Sequence, residues 1–251
     1  MTKVSVIYED SVAIIQLNNG ITNALNLEFI REISKTLKHL KNESIINSIV
    51  LTSENEKFYS IGFDLPHLFK LSKSKVKLFY TNFNRLCLDI YTYPKPTITA
   101  ITGHATAGGC ILALCTDYRF IASGRKLMGL NEIKLGLPVP YPADCILRDL
   151  IETRYAKIIM EEGEFHQSDE LYQMGLVDLV LPMDEVLFQS IEKIREIGDM
   201  PKPAYNIIKR NRVDNVESQI LSNLKEREEI FLACWKSPEV RKLLKEAIKK
   251  F

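Results

Sequence analysis

The stretch ITGHATAGGC, residues 101–110, sets three glycines and two alanines between a β-branched run, PTITAI, and an apolar run of helical character, CILALC. A strand that passes into a helix through residues almost without side chains lets another backbone or a ligand reach main-chain N–H groups. The start of the helix gives those groups partial positive charge. The spacing is neither G-x-G-x-x-G nor a P-loop with its lysine, so it does not read as a phosphate cradle. A second junction, KFYSIGFDL at 57–65, again places a glycine, Gly62, just ahead of a helix-like start. Two converging backbone N–H groups are what an oxyanion hole requires.

The surrounding chain has 251 residues, 46% of them hydrophobic, enough for one large domain or a domain with a helical appendage. A net charge of +1 gives no global reason for a nucleic-acid or anionic-membrane partner. Cys87, Cys110, Cys115, Cys145 and Cys234 are odd in number without a C-x-x-C pair, and the histidines lack ligand spacing, so neither a metal site nor a disulfide framework is expected. MTKVSVIYED has no signal-peptide core, no apolar run reaches the roughly 18 residues of a membrane span, and the terminal KKF is not an S-K-L address. The expectation is a soluble cytoplasmic protein.

Periodicity supplies an outline. VSVIYED and VAIIQLNN read as strands of an early hairpin, residues 27–41 as a helix, INSIVLTS as a buried strand, and residues 73–88 as a helix stopped by YPKP. TITAIT, DYRFIAS and KLMGL read as further strands around the helix opened by GGCILALC. Beyond Pro140 the pattern turns helical: PADCILRDLI, RYAKIIM, SDELYQM, 186–197 and 221–235, interrupted by GLVDLVLP. This is an α/β chain with a strand-rich core of βα units and a helical C-terminal region.

KFYSIGFDL, GHATAGGCILALCTDYRF and MGLNEIKLGLPVP, in this order and spacing, resemble the crotonase (enoyl-CoA hydratase/isomerase) superfamily. The resemblance extends from NALN at 23–26 through EEGEFHQSDELYQMGLVDLVLP to the basic tail SPEVRKLLKEAIKKF. It implies a spiral of ββα units over residues 1–195 and a C-terminal helical trimerisation region over 196–251, assembled as a homotrimer or dimer of trimers. It also implies an acyl thioester of coenzyme A as substrate, with no separate cofactor and no metal. By motif position the oxyanion-hole N–H groups fall on Ile61 and Gly108, and substrate contacts on Ala24, Ser60, Gly62, Phe63, Asp64, Leu65, Ile111 and Leu137. The segment DLPHLFKL and the 73–88 helix are candidates for the acyl tunnel.

The hydratases that the chain resembles use two glutamates, one directly after GGC and one in the following loop. Here the first position is Ile111 and the second is Glu132. Adding water across a double bond uses both carboxylates, whereas one carboxylate can still carry a proton from one carbon to another. The pattern is similar to the Δ3,Δ2-enoyl-CoA isomerases of fatty-acid β-oxidation, with Glu132 as the catalytic residue. The second aspartate of the dienoyl-CoA isomerases would fall at Pro140, and the nucleophilic aspartate of the dehalogenases at Val139. A hydratase-like enzyme, another acyl-CoA-processing member such as a decarboxylase or hydrolase, and a non-catalytic acyl-CoA-binding protein remain as alternatives. Outside the motif, Asp64 reads as a helix cap, His104 as a packing or hydrogen-bonding residue, Cys110 and Cys115 as core, and the basic segments KRNR and KEAIKKF as solvated faces whose lysines could also meet coenzyme A phosphates.

Overall fold

The computed structural model describes residues 2–249, so the last two residues of the KEAIKKF tail lie outside the described residues. β1 (Val4–Glu9) and β2 (Val12–Leu17) form the expected antiparallel hairpin, followed by α1 (Leu27–Asn42), whose first turn is capped by the Asn26 side chain accepting from the Phe29 N–H at 3.0 Å. The chain then winds. β3 (Ser48–Ser53) leads to β4 (Phe58–Ser60), α2 (Leu65–Leu68) and α3 (Lys73–Tyr91); β5 (Thr97–Ile101) leads to β6 (His104–Thr106) and α4 (Gly108–Leu114); β7 (Tyr118–Ala122) leads to β8 (Leu127–Gly129), a 3-10 turn (Glu132–Leu135) and α5 (Tyr141–Leu150). After α6 (Thr153–Glu162) come β9 (His166–Gln167), α7 (Ser168–Gln173), β10 (Leu179–Leu181), α8 (Val186–Gly198), α9 (Lys202–Lys236) and α10 (Pro238–Ile248).

Each turn of the spiral gives one strand to a six-stranded sheet, ordered β1-β2-β3-β5-β7-β10, and one short strand to a four-stranded sheet, ordered β4-β6-β8-β9. In the large sheet every pair beyond the hairpin is parallel. Side chains alternate across it as a strand requires. On β2, Ala13, Ile15 and Leu17 join the main core with α1 and α3, while Val12 and Ile14 face the layer closed by Val186, Ile191 and Ile194 of α8. α8 packs on this sheet and ends at Gly198, and α9, which begins at Lys202, packs against α3 and α5.

Of the four-stranded sheet only β8 was legible in the sequence, as KLMGL, because its strands are two or three residues long and show no period. α9 is also longer than the 221–235 segment that periodicity marks; it is one helix of 35 residues. Its first half hides a polar face. Tyr205, Lys209 and Arg212 follow an i, i+4, i+7 spacing and converge on the buried carboxylate of Asp117, which accepts from Lys209 Nζ at 2.7 Å and from the Tyr205 hydroxyl at 3.3 Å, and also pairs with Arg212. The Thr97 N–H and hydroxyl donate to the same carboxylate at 2.8 and 2.9 Å. Burial alone would raise the Asp117 pKa, but the charges of Lys209 and Arg212 outweigh it and hold it below its ordinary value.

Asp117→Ala leaves Lys209, 5% exposed, as an uncompensated buried charge. The expected loss is about 3–5 kcal/mol of folding stability, read from the urea midpoint at neutral pH. A variant as stable as the parent would show that α9 is held by other contacts.

Candidate active site

The two glycine junctions meet where β4 and β6 deliver their chains to α2 and α4. Gly62 has φ +87°, and a Cβ added there would lie 2.6 Å from the Gly108 amide nitrogen. At Gly109 a Cβ would lie 2.1 Å from the Ser60 carbonyl oxygen. These approaches explain the run without side chains, since only backbone fits between β4 and the first turn of α4. The residue before the helix, Ala107, is itself in a positive-φ conformation (49°) and provides no side-chain cap. The Gly108 N–H makes no hydrogen bond among the described residues and sits at the positive end of α4.

Ile61 differs from its assignment. Its N–H donates to the Thr22 carbonyl at 3.0 Å, so this donor is engaged in the structure. Asn23 is responsible for the contact: at φ 46° it turns the chain toward β4, and its side-chain amide donates to the Ser53 hydroxyl at 2.8 Å and the Tyr59 carbonyl at 3.0 Å. Ser60 differs as well. It is fully buried, with its hydroxyl donating to the Asn23 carbonyl at 2.8 Å and accepting from the Gly62 N–H at 3.1 Å. It holds the two backbone segments together.

Glu132 begins the 3-10 turn, which ends at Gly136 with φ 71°. A Cβ at Gly136 would lie 2.9 Å from Val240 of α10, the helix that covers the turn. The Glu132 carboxylate is 7% exposed, and its Oε2 has no hydrogen-bond partner. Burial pushes its pKa up to about 7, only partly offset by backbone hydrogen bonds at Glu132 and Asn131. Burial first, and then the charge of Glu132, raises the pKa of the Cys110 thiol on α4. Among the described residues the other buried glutamate is Glu228, whose two oxygens accept from Thr81 and Asn84 at 2.9 and 3.0 Å. Glu132 is thus the buried glutamate with an oxygen left free and a pKa suited to taking and returning a proton near neutrality.

A desolvated carboxylate on the turn after β8 and a first amide of α4 with no partner among the described residues, in a two-sheet spiral, accompany a match of residues 8–251 to the family model described as enoyl-CoA hydratase/isomerase. The chain belongs to the enoyl-CoA hydratase/isomerase family. Within that family the mitochondrial enoyl-CoA delta isomerase 1 of Mus musculus is 35% identical over 176 residues, covering 70% of this chain and 61% of the mouse protein. The short-chain-enoyl-CoA hydratase of Clostridium acetobutylicum is 25% identical, covering 96% of this chain and 93% of that protein. The crystal structure of human mitochondrial delta3-delta2-enoyl-CoA isomerase superposes with a TM-score of 0.96 at 26% identity, covering 99% of this chain and 98% of the human one. The mouse and human isomerases are matched over 61% and 66% of their own lengths. No helix among the described residues is long and apolar enough to cross a membrane.

Ile111 is fully buried on α4, and Leu137 lines a cavity of about 350 Å³ together with Tyr80, Val139, Tyr141, Met160 and Ile230. Phe63 stands edge-on to Phe79 and Phe83 of α3, both at 4.8 Å between ring centroids, so α3 borders the junction. Leu65 is buried and Ala24 half-buried, its carbonyl accepting from the Asn19 side chain at 2.7 Å. Asp64 caps α2 by accepting from the His67 N–H at 3.1 Å. His104 accepts from the Leu127 N–H at 3.0 Å and joins β6 to β8. Tyr80 escaped the sequence reading as an individual residue: its phenol is raised by burial and by the nearby charges of Glu228 and Glu132, yet it is one more apolar-face residue of an amphipathic helix.

The raised pKa of Glu132 has a consequence for stability. Between about pH 4.3, the unfolded value, and pH 7 the folded chain keeps a proton that the unfolded chain releases. This contribution is complete below the unfolded pKa and is lost as the pH rises through the folded one. Glu132→Gln, which cannot ionise, should be more stable than the parent by about 3 kcal/mol at about pH 8 and nearly equal to it at about pH 4.5. Urea midpoints at the two pH values measure the difference; a pH-independent gap would refute it.

Proposed function

We propose that this chain is a Δ3,Δ2-enoyl-CoA isomerase, moving the double bond of a 3-enoyl thioester to the 2-trans position. The observation that carries the reading is Glu132, a desolvated carboxylate with one unpartnered oxygen, combined with a hydrocarbon, Ile111, where the hydratases that the chain resembles have a second glutamate. In the proposed reaction the Glu132 carboxylate takes a proton from C2. The C2–H electrons form the C1–C2 double bond of a dienolate, and the thioester carbonyl oxygen becomes the oxyanion. The Gly108 N–H donates to that oxygen, and the Ile61 N–H joins it when the carbonyl displaces that of Thr22. As the C2–C3 double bond forms, the C3–C4 electrons take the same proton from Glu132 at C4 and the carbonyl is restored. No electrons are gained or lost overall, so the reaction draws on no cofactor beyond the coenzyme A of its substrate.

The apolar surroundings serve both halves of this cycle. They keep the Glu132 proton from exchanging with water between C2 and C4, and they strengthen the amide's interaction with the oxyanion. Resemblance to the mouse and human isomerases supports the same reading, and the hydratase relative supports the shared thioester substrate class.

Incubation with 3-hexenoyl-CoA and, separately, with crotonyl-CoA tests the assignment. Isomerisation of the first without hydration of the second is expected, with kcat/KM rising with pH through about 7 as Glu132 ionises. Glu132→Gln should lower turnover by about 10²–10⁴-fold with little change in the affinity of a saturated acyl-CoA. Hydration of crotonyl-CoA without isomerisation would overturn the reading.

Gly62→Ala tests the oxyanion donor separately. The new methyl group would cover the Gly108 amide and strain a left-handed backbone position. Loss of one such donor corresponds to about 10²–10³ in kcat. Turnover within a few-fold of the parent would remove the Gly108 amide from the mechanism.

A further inference from the structure

Away from Glu132, a cavity of about 200 Å³ lies in the notch between the start of α3, the end of α9 and the first turn of α10. Its walls are Leu71, Val76, Leu232 and Trp235 together with three cations, Lys73, Lys236 and Arg241, and none of them is acidic. The buried Lys209 and Arg119 have carboxylate partners in Asp117 and Asp178, and the exposed Arg212 shares Asp117. Lys73, Lys236, Arg241 and the adjacent Lys77 have none among the described residues. The Lys236 ammonium titrates below its ordinary value, first from desolvation, then from Lys73 within hydrogen-bond reach and from Lys77. These lysines are exposed and screened by water, and what the notch offers an anion is cationic side chains from three helices with no acid among its walls.

Arg241 is already oriented. Its guanidinium carbon lies 3.4 Å from the centroid of the Phe69 ring, and its Nη2 donates to the Phe69 carbonyl at 2.9 Å, leaving further N–H groups for a ligand. We propose that Lys73, Lys236 and Arg241 form a binding site for a phosphate group, with the apolar notch taking an uncharged part of the same ligand. Cations drawn from three helices suit a compact, multiply charged tetrahedral anion, which accepts hydrogen bonds from several directions at once. The site has a route to the catalytic turn. α10 starts two residues after Lys236 and packs Val240 and Leu243 against Gly136, so an anion joining α3 to the α9–α10 corner fastens the helix that covers Glu132. The proposal stands independently of the isomerase reading, since it concerns other residues.

Trp235 is the only tryptophan of the chain and lines the cavity, so its emission reports occupancy directly. The full chain is titrated with inorganic phosphate and, in a second arm, with monomeric dihexanoyl phosphatidic acid, at constant ionic strength held by NaCl. A saturable change in emission with either ligand and none with NaCl alone is expected. In Lys73→Ala/Lys236→Ala the midpoint should move by at least about tenfold, while Lys193→Ala, on α8, leaves it unchanged. Tighter binding of the lipid assigns the source as an amphiphilic phosphate, and equal binding assigns it as the free anion. A response matched by NaCl, or a double variant that titrates like the parent, overturns the site. So does a double variant that keeps its phosphate response but loses affinity for a saturated acyl-CoA, because the cations would then belong to the thioester site.

Discussion

Main chain packed against main chain, where β4 passes beneath the start of α4, is the contact on which the rest of the structure depends. A methyl group added at Gly109 would meet the Ser60 carbonyl and one added at Gly62 the Gly108 amide nitrogen, so a single methyl group would force the two turns of the spiral apart. The small sheet follows from this closeness, since β4 pairs with β6 and β6 with β8 only if the turns stack at strand spacing. The same contact leaves the first amide of α4 without a partner. Packing and chemistry therefore make one demand of these glycines, and neither can be relaxed without the other.

Around that contact the protein keeps two carboxylates in low-dielectric surroundings and treats them in opposite ways. Asp117 is surrounded by two cations and three hydrogen-bond donors that are not cationic, stays ionised, and ties α9 to the sheet. Glu132 receives little compensation, and its proton affinity rises accordingly. The first arrangement lowers the energy of the fold; the second raises it, and it survives because α10 and the α4 core hold the turn in place.

The large sheet, its flanking helices and the glycine junctions were legible in the sequence, because each rests on a local period or on a residue with unusual backbone freedom. Glu132 was legible only through its motif: alone, GLNEIKLG reads as a solvated loop, and nothing local states that the side chain points inward. The first half of α9 escaped for a related reason. Its first turns are held by Tyr205, Lys209 and Arg212 on a buried aspartate, and the buried apolar positions begin only at Val213, Val216 and Ile220. The engagement of Ile61 by Thr22 was out of reach altogether, since it arises between segments roughly forty residues apart through the side-chain hydrogen bonds of Asn23.

The Thr22 carbonyl that accepts from the Ile61 N–H resembles chemically the thioester oxygen of the proposed reaction. In that reaction an incoming carbonyl has to exchange with a peptide oxygen of the chain itself, so the proposed site contains its own internal competitor, and the exchange favours an oxygen on which negative charge is growing.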